Sequence, residues 1–284
     1  MAIEANVKQW DLQRLQQVFK WTVYALLLVN FVLYLIDDIS FSQHTLGESS
    51  TLLDMVGAFA TSLAVAAWIC LIMSFELETY VLDEEQFTPL VTRSLHSVRL
   101  FCAAVIAFSS VAFVEYLVQL AADVPVEEAS SLCDIADREL SFTYNIEYTE
   151  IDSNNCATLS QDNRFFWVDG QEVVTDTAGL SLERWLALSS VLEVLIWVVI
   201  IVAMELVVRL QDRGVTSGGL LKNLDRIKRF GYVAIICLAL WWGSLGHWLY
   251  LWDTLLWVGG FAAIEFNVNE WRDELKERDD SAVV

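Results

Sequence analysis

Apolar runs of membrane-crossing size set the plan of this chain. A helix needs roughly 20 mostly apolar residues to cross ~30 Å of hydrocarbon. Six stretches approach or reach that size: Lys20 to Ile36, Leu52 to Phe75, Val98 to Leu120, Trp185 to Val208, Phe230 to Tyr250 and Trp252 to Trp271. A tight turn near Tyr250 and Asp253 is all that parts the last two, which predicts a helical hairpin. The expected fold class is an all-α membrane protein with six transmembrane helices.

The pattern changes between the third and fourth stretches. Leu140, Phe142, Tyr144, Ile146 and Tyr148 alternate with polar residues, the period of a half-buried strand. Phe165 to Val168 then meets Asp169-Gly170, a good two-residue hairpin turn, and Val173-Val174 can return. Residues 122–183 are therefore expected to be a small insertion with β-strands. Roughly sixty residues are marginal as an independent domain, so its strands should pack on the outer ends of the helices or on another subunit.

Two amphipathic segments flank spans. Over residues 4–19, Val7, Trp10, Leu15 and Val18 share one face, which predicts an interfacial helix ahead of the first span. From Leu220 to Phe230, Leu220, Leu221, Leu224 and Ile227 face one way, with Lys222, Arg226 and Lys228 toward lipid headgroups. Ser217-Gly218-Gly219 reads as a flexible break before it.

Placement of cations gives the orientation. Fourteen of the seventeen Lys and Arg residues precede the first span, lie between spans two and three or four and five, or follow the sixth. Counting six spans puts all of these on one side, and cationic loops stay cytoplasmic. Both termini are expected inside, with a basic cytoplasmic loop at 209–229 and an acidic tail at 272–284. Arg138, Arg164 and Arg184 alone fall outside. The bundle is then 20–121 (helices 1–3) and 184–271 (helices 4–6). Trp21, Trp185, Trp248, Tyr250, Trp252 and Trp271 fall where rings favour the headgroup zone.

Composition agrees. The chain is 56% hydrophobic, above the usual range of a soluble domain. Its net charge of −21 is concentrated outside: residues 122–184 carry fourteen acids and three bases. Such an excess repels nucleic acid. Cys133 and Cys156 lie in the insertion, where an oxidising compartment lets them pair; Cys70, Cys102 and Cys237 lie in spans as packing residues. The insertion has no Asn-x-Ser/Thr sequon, and a cell inner membrane is the expected location.

Carboxylates at membrane depth are the candidate chemistry. An ionisable side chain in hydrocarbon is costly and faces the bundle interior or a wet cavity. Glu115 and Glu193 are expected at similar depths in the outer half, and Glu205 and Glu265 in the inner half. Together they suggest a two-tier path for a proton or small cation. Simple structural satisfaction is the competing reading, and Glu205 has Arg209 one turn away. His247, Asp253 and Asp54 are candidates for the outer mouth, where a His with two acids can hold a divalent metal. Asp37, Asp38, Asp54 and Asp253 are expected to be wet.

Several activities lack their residues. No lysine lies mid-span, as a retinal Schiff base needs. No span has regularly spaced arginines, and there is no Walker A, Rossmann or Cys-x-x-Cys pattern. Gly243-Ser244-Leu245-Gly246 departs from the spacing of a nucleophile elbow. No cofactor or catalytic residue is expected. The leading expectation is a channel, a transporter or a subunit of one, alone, as a homo-oligomer or with a membrane-protein partner. The alternative is an assembly, scaffold or sensory subunit that binds partners through the insertion.

Overall fold

A computed structural model describes residues 2–47, 50–77, 88–127, 129–169, 172–262, 265 and 272. The fold is mostly helical: α1 (Ala2–Thr45), α2 (Leu52–Ala58), α3 (Ala60–Glu76), α4 (Pro89–Ala121), a short α5 (Cys156–Leu159), α6 (Thr177–Asp212) and α7 (Gly219–Ser244). A further helix, α8, covers 248–262. Four strands, β1 (Ser141–Tyr144), β2 (Glu147–Glu150), β3 (Phe165–Asp169) and β4 (Val173–Asp176), form one sheet. Among the described residues, three helical stretches are long and apolar enough to cross a membrane: Gln17–Thr45, Pro89–Ala121 and Thr177–Gln211. The apolar helix Ala60–Ser74 is shorter. The residues expected to form a separate interfacial helix are the first turns of α1, because no Gly, Pro or cap interrupts them.

The chain divides into two compact units, one of Phe31–Val191 and one of Met1–Asn30 with Leu192–Val284. In the Phe31–Val191 unit the second apolar stretch is not one rod. It breaks at Phe59, between α2 and α3. The Ser62 N–H at the start of α3 donates to Asp38 Oδ2 on α1 at 2.9 Å, so a carboxylate serves an amide that the break leaves without a helical partner. This corrects the expectation of a wet Asp38: it is buried because it caps a neighbouring helix. Pro89 is the first residue of α4 behind a Thr88 cap, a position where its missing N–H costs nothing.

The insertion has the strand order β2-β1-β4-β3. β1 pairs antiparallel with β2 and parallel with β4, and β3 pairs antiparallel with β4. The β3–β4 hairpin is as expected; Gly170 of its proposed turn lies outside the described residues. The alternating run 140–148 is not one strand. It reverses at Asn145 and Ile146, which have φ of 60° each, the signature of a type I′ hairpin turn. Alternation survives such a two-residue turn, so the pattern concealed the reversal. Phe142, Phe165, Leu132 and Ile135 fill the core, and the Cys133–Cys156 disulfide closes it.

The sheet packs on helix ends, as expected. Leu120 of α4 and Leu180 and Ala187 of α6 share a cluster with Val168 and Val173. From α1, Phe41 meets Tyr148 edge-on at 5.1 Å and His44 Nδ1 lies 2.9 Å from Ser141 Oγ. Arg184, one of the three cations expected outside, closes the end of α4. Its Nε and Nη2 donate to the Leu120 carbonyl at 2.9 and 2.7 Å, and Nη2 pairs with Asp123. A cation is favoured at a helix C-terminus, where carbonyls lack partners.

In the other unit two glycines stop helices. Gly214 (φ 76°) follows α6 and Gly246 (φ 99°) follows α7. Around Gly246, His247 N–H donates to Trp242 O and Gly246 N–H to Gly243 O, both at 3.1 Å. This is a Schellman cap, which needs a left-handed residue. The hairpin turn is therefore at residues 245–247, several residues before the expected Tyr250–Asp253 position, and Asp253 lies inside α8. Polarity marked Asp253 as a turn residue, but backbone handedness decides, and that favours Gly246. Ile200 of α6 packs directly on Gly231 of α7, where a Cβ would meet Ile200 Cγ1 at 2.6 Å. Gly259 and Gly260 continue α8 unbroken. Cβ atoms there would touch Phe19 and Val23 of α1 at 3.6 and 3.5 Å.

Candidate functional site

Two polar clusters occupy the unit of Met1–Asn30 and Leu192–Val284. The first joins α1 and α8. Asn30 interrupts an otherwise apolar face of α1 and is 1% exposed. Its Nδ2 donates to Asp253 Oδ1 at 2.9 Å. Asp253 is buried, again against the expectation of a wet carboxylate, since its α8 position turns it toward α1. On α6, Glu193 Oε1 accepts from Trp197 Nε1 one turn on, at 3.4 Å. Thus Asp253, expected at the outer mouth, comes together with an amide that carried little signal: a single Asn in an apolar run.

The second cluster links α7 to the chain beyond α8. Lys228, its side chain 4% exposed, pairs with Asp225 at 3.2 Å and with Glu265 at 3.3 Å. The Tyr232 hydroxyl donates to Glu265 Oε1 at 2.8 Å. Arg272 Nη1 reaches Asp225 Oδ2 at 3.2 Å. Asp225, Lys228 and Tyr232 are three and four residues apart, so one face of α7 carries all three. This corrects the placement of Lys228 among residues facing headgroups: Leu221 and Leu224 are buried on the same face, while Leu220 and Ile227 are exposed. Two cations and two carboxylates compensate each other, the condition for burying charge.

The remaining candidates stand apart from these clusters. Glu205 is exposed and pairs with Arg209 at 2.6 Å, the local ion pair expected from their spacing. Glu115 is an exposed residue of α4, in the other unit. Asp54 is the N3 residue of the α2 capping box, accepting from the Thr51 amide at 2.7 Å, so its carboxylate serves a helix start. His247 follows the Gly246 turn and meets the Trp242 ring edge-on at 5.0 Å. Among the described residues, no group of three or more His, Cys, Asp or Glu side chains is placed to hold a metal ion.

Sequence reasoning missed Asn30, Asp38 and Glu183. The last is fully buried at the start of α6, with Oε1 accepting the Ile146 amide at 2.9 Å. Glu183 and Arg184 are adjacent in sequence and read together as a polar boundary, which hid their separate partners.

No family model matches this chain, and no match was found among curated proteins or solved structures.

Proposed function

We propose that this chain is a multi-pass protein of a cell inner membrane, with six spans and both termini inside, that passes a proton or a small cation. The orientation draws on cation placement and on the insertion, which receives the C-terminal ends of α1 and α4 and the N-terminal end of α6. α2 with α3, α7 and α8 supply the remaining spans. The single observation that supports the transport reading is the buried Asp253 carboxylate, which accepts from Asn30 Nδ2 at 2.9 Å. An ionisable group so placed in an apolar bundle is costly, and ionisable groups at such depth belong to ion and proton routes. Glu265 supplies a second station, compensated by Lys228 at rest. Glu115 and Glu205 have no part in this route.

Flux assays in proteoliposomes test the reading. Glu193→Gln and Glu265→Gln should each reduce proton or cation flux about tenfold or more while the protein stays monodisperse. Wild-type flux in both variants would remove these residues from the mechanism. A periplasm-active reporter fused after Val284 should be silent, and activity there would overturn the orientation.

One observation favours a second reading, in which the insertion binds a partner. β2 is an edge strand whose Glu147 and Glu150 are exposed, and an uncovered edge can pair with another chain. A stoichiometric partner retained in mild detergent and lost in Thr149→Pro would support it.

A further inference from the structure

We infer that Glu183 is a proton-operated latch on the β1–β2 hairpin of the insertion. The hairpin stays docked on α6 while the carboxyl carries a proton and loosens when it ionises. The inference is independent of ion passage. α6 has 36 residues. At ~1.5 Å per residue it is ~54 Å long, more than the ~30 Å of hydrocarbon that a span crosses. Leu180 and Ala187, one turn to either side of Glu183, pack on Val168 of β3 and Val173 of β4. On the proposed topology this part of α6 stands outside the hydrocarbon, enclosed by the insertion.

Glu183 has no exposed surface. Its Oε1 accepts the Ile146 N–H at 2.9 Å, while Oε2 is buried and has no hydrogen-bond partner. One amide does not replace the hydration of an ionised carboxylate, whereas a neutral acid tolerates such a site. The adjacent cation is committed elsewhere: Arg184 donates to the Leu120 carbonyl and pairs with Asp123. Asp176 of β4 accepts from the Gly179 amide and the Ser160 hydroxyl, and Glu147 and Glu150 of β2 are exposed. His44 of α1, which contacts Ser141 and stacks on Tyr148, is a second titratable group against the hairpin. The turn that Glu183 holds is unfavourable on its own, since Asn145 and Ile146 both have φ of 60° and a β-branched residue resists that region. Burial pushes the Glu183 carboxyl up to about 7, and the amides of Ile146 and Asn145 only partly oppose it. A folded value raised above the ordinary 4.5 means that the docked hairpin binds the proton more tightly. Its stabilisation is complete below about pH 4.5 and is lost as pH rises to about 7. Because β2 is an edge strand, rising external pH loosens the strand that a partner would meet.

Hydrogen–deuterium exchange of the purified full chain in detergent tests this, with rates corrected for the intrinsic effect of pH. Between about pH 5 and about pH 8, wild-type protection over residues 141–150 should fall about tenfold or more, while that of α7 stays constant. Glu183→Gln, a neutral isostere, should keep its protection across the range. His44→Gln should lose protection as wild type does. Constant protection in wild type, an undiminished fall in Glu183→Gln, or no fall in His44→Gln would each overturn the latch. If Glu183→Gln does not fold, the wild-type series still decides: a loss confined to the hairpin supports the latch, and a loss shared by α7 is general loosening and refutes it.

Discussion

Glu183 Oε1 accepts the backbone N–H of Ile146 at 2.9 Å, and Ile146 is held at φ 60°. A β-branched residue rarely enters the left-handed region. The second central position of a type I′ turn is normally glycine. Here a fully buried carboxylate from α6 fixes the turn instead.

Removing that acceptor leaves the Ile146 amide without this partner. Glu183→Ala should destabilise the protein by about 1–3 kcal/mol, read as a lower thermal midpoint in detergent. Ile146→Gly should act oppositely, relieving a strain of about 1–2 kcal/mol less some chain entropy. A lower midpoint in Ile146→Gly would show that the isoleucine side chain contributes more by packing than it costs in backbone strain.

Cys133 and Cys156 are 23 residues apart. Closing a loop of that length restrains the unfolded chain by about 3 kcal/mol in the loop-entropy account. Reduction, or Cys133→Ala with Cys156→Ala, should lower the thermal midpoint. Mass spectrometry after alkylation under non-reducing conditions should label Cys70, Cys102 and Cys237 only; label on Cys133 would contradict the bridge.

Removing Lys228 leaves Glu265 without its cation, while Asp225 keeps Arg272. Lys228→Met should cost about 3 kcal/mol. Adding Glu265→Gln should restore part of that loss, because the double variant removes a cation and an anion together. Purely additive losses in the two-variant cycle would deny the coupling.

The Gly231–Ile200 contact leaves no space for a methyl group. Gly231→Ala should destabilise by about 1–3 kcal/mol through overpacking. Pairing it with Ile200→Ala should recover stability relative to the sum of the single variants. Unchanged stability in Gly231→Ala would mean that α6 and α7 are less closely packed.

Acid should loosen the insertion. Hydrogen bonds from the Ser130 hydroxyl and from the Ser131 and Ser130 amides hold Asp134 below the usual carboxylate range, and the Asn154 and Asn155 amides do the same for Asp152. A carboxylate with a depressed native value stabilises the fold above its unfolded value, near 3.8. That contribution disappears as pH falls through the lower native value. The thermal midpoint should drop below about pH 4, and less so in Asp134→Asn.

The sequence disclosed features that depend on local pattern and withheld those that depend on distant partners. Cysteine placement located the disulfide, and the Val173-Val174 return located a hairpin. Glu205 and Arg209, four residues apart on one helix, could be paired without coordinates. Lys228 could not be read correctly, because its partner Glu265 lies 37 residues on and its neighbours Arg226 and Arg229 suggest a solvated face. Asn30 was lost in an apolar run. Asp38 and Asp253 looked like boundary residues because acids usually end spans; their burial follows from one backbone amide and one side-chain amide on other helices.

The left-handed glycine after α7 has a consequence for biogenesis. Only residues 245–247 separate α7 from α8, so neither helix can wait on the far side while the other is translated. On the proposed topology the two enter the bilayer as a pair. A ribosome that stopped at Gly246 would release α7 with Lys228 paired to Asp225 and without Glu265, a cation short of one of its two carboxylates.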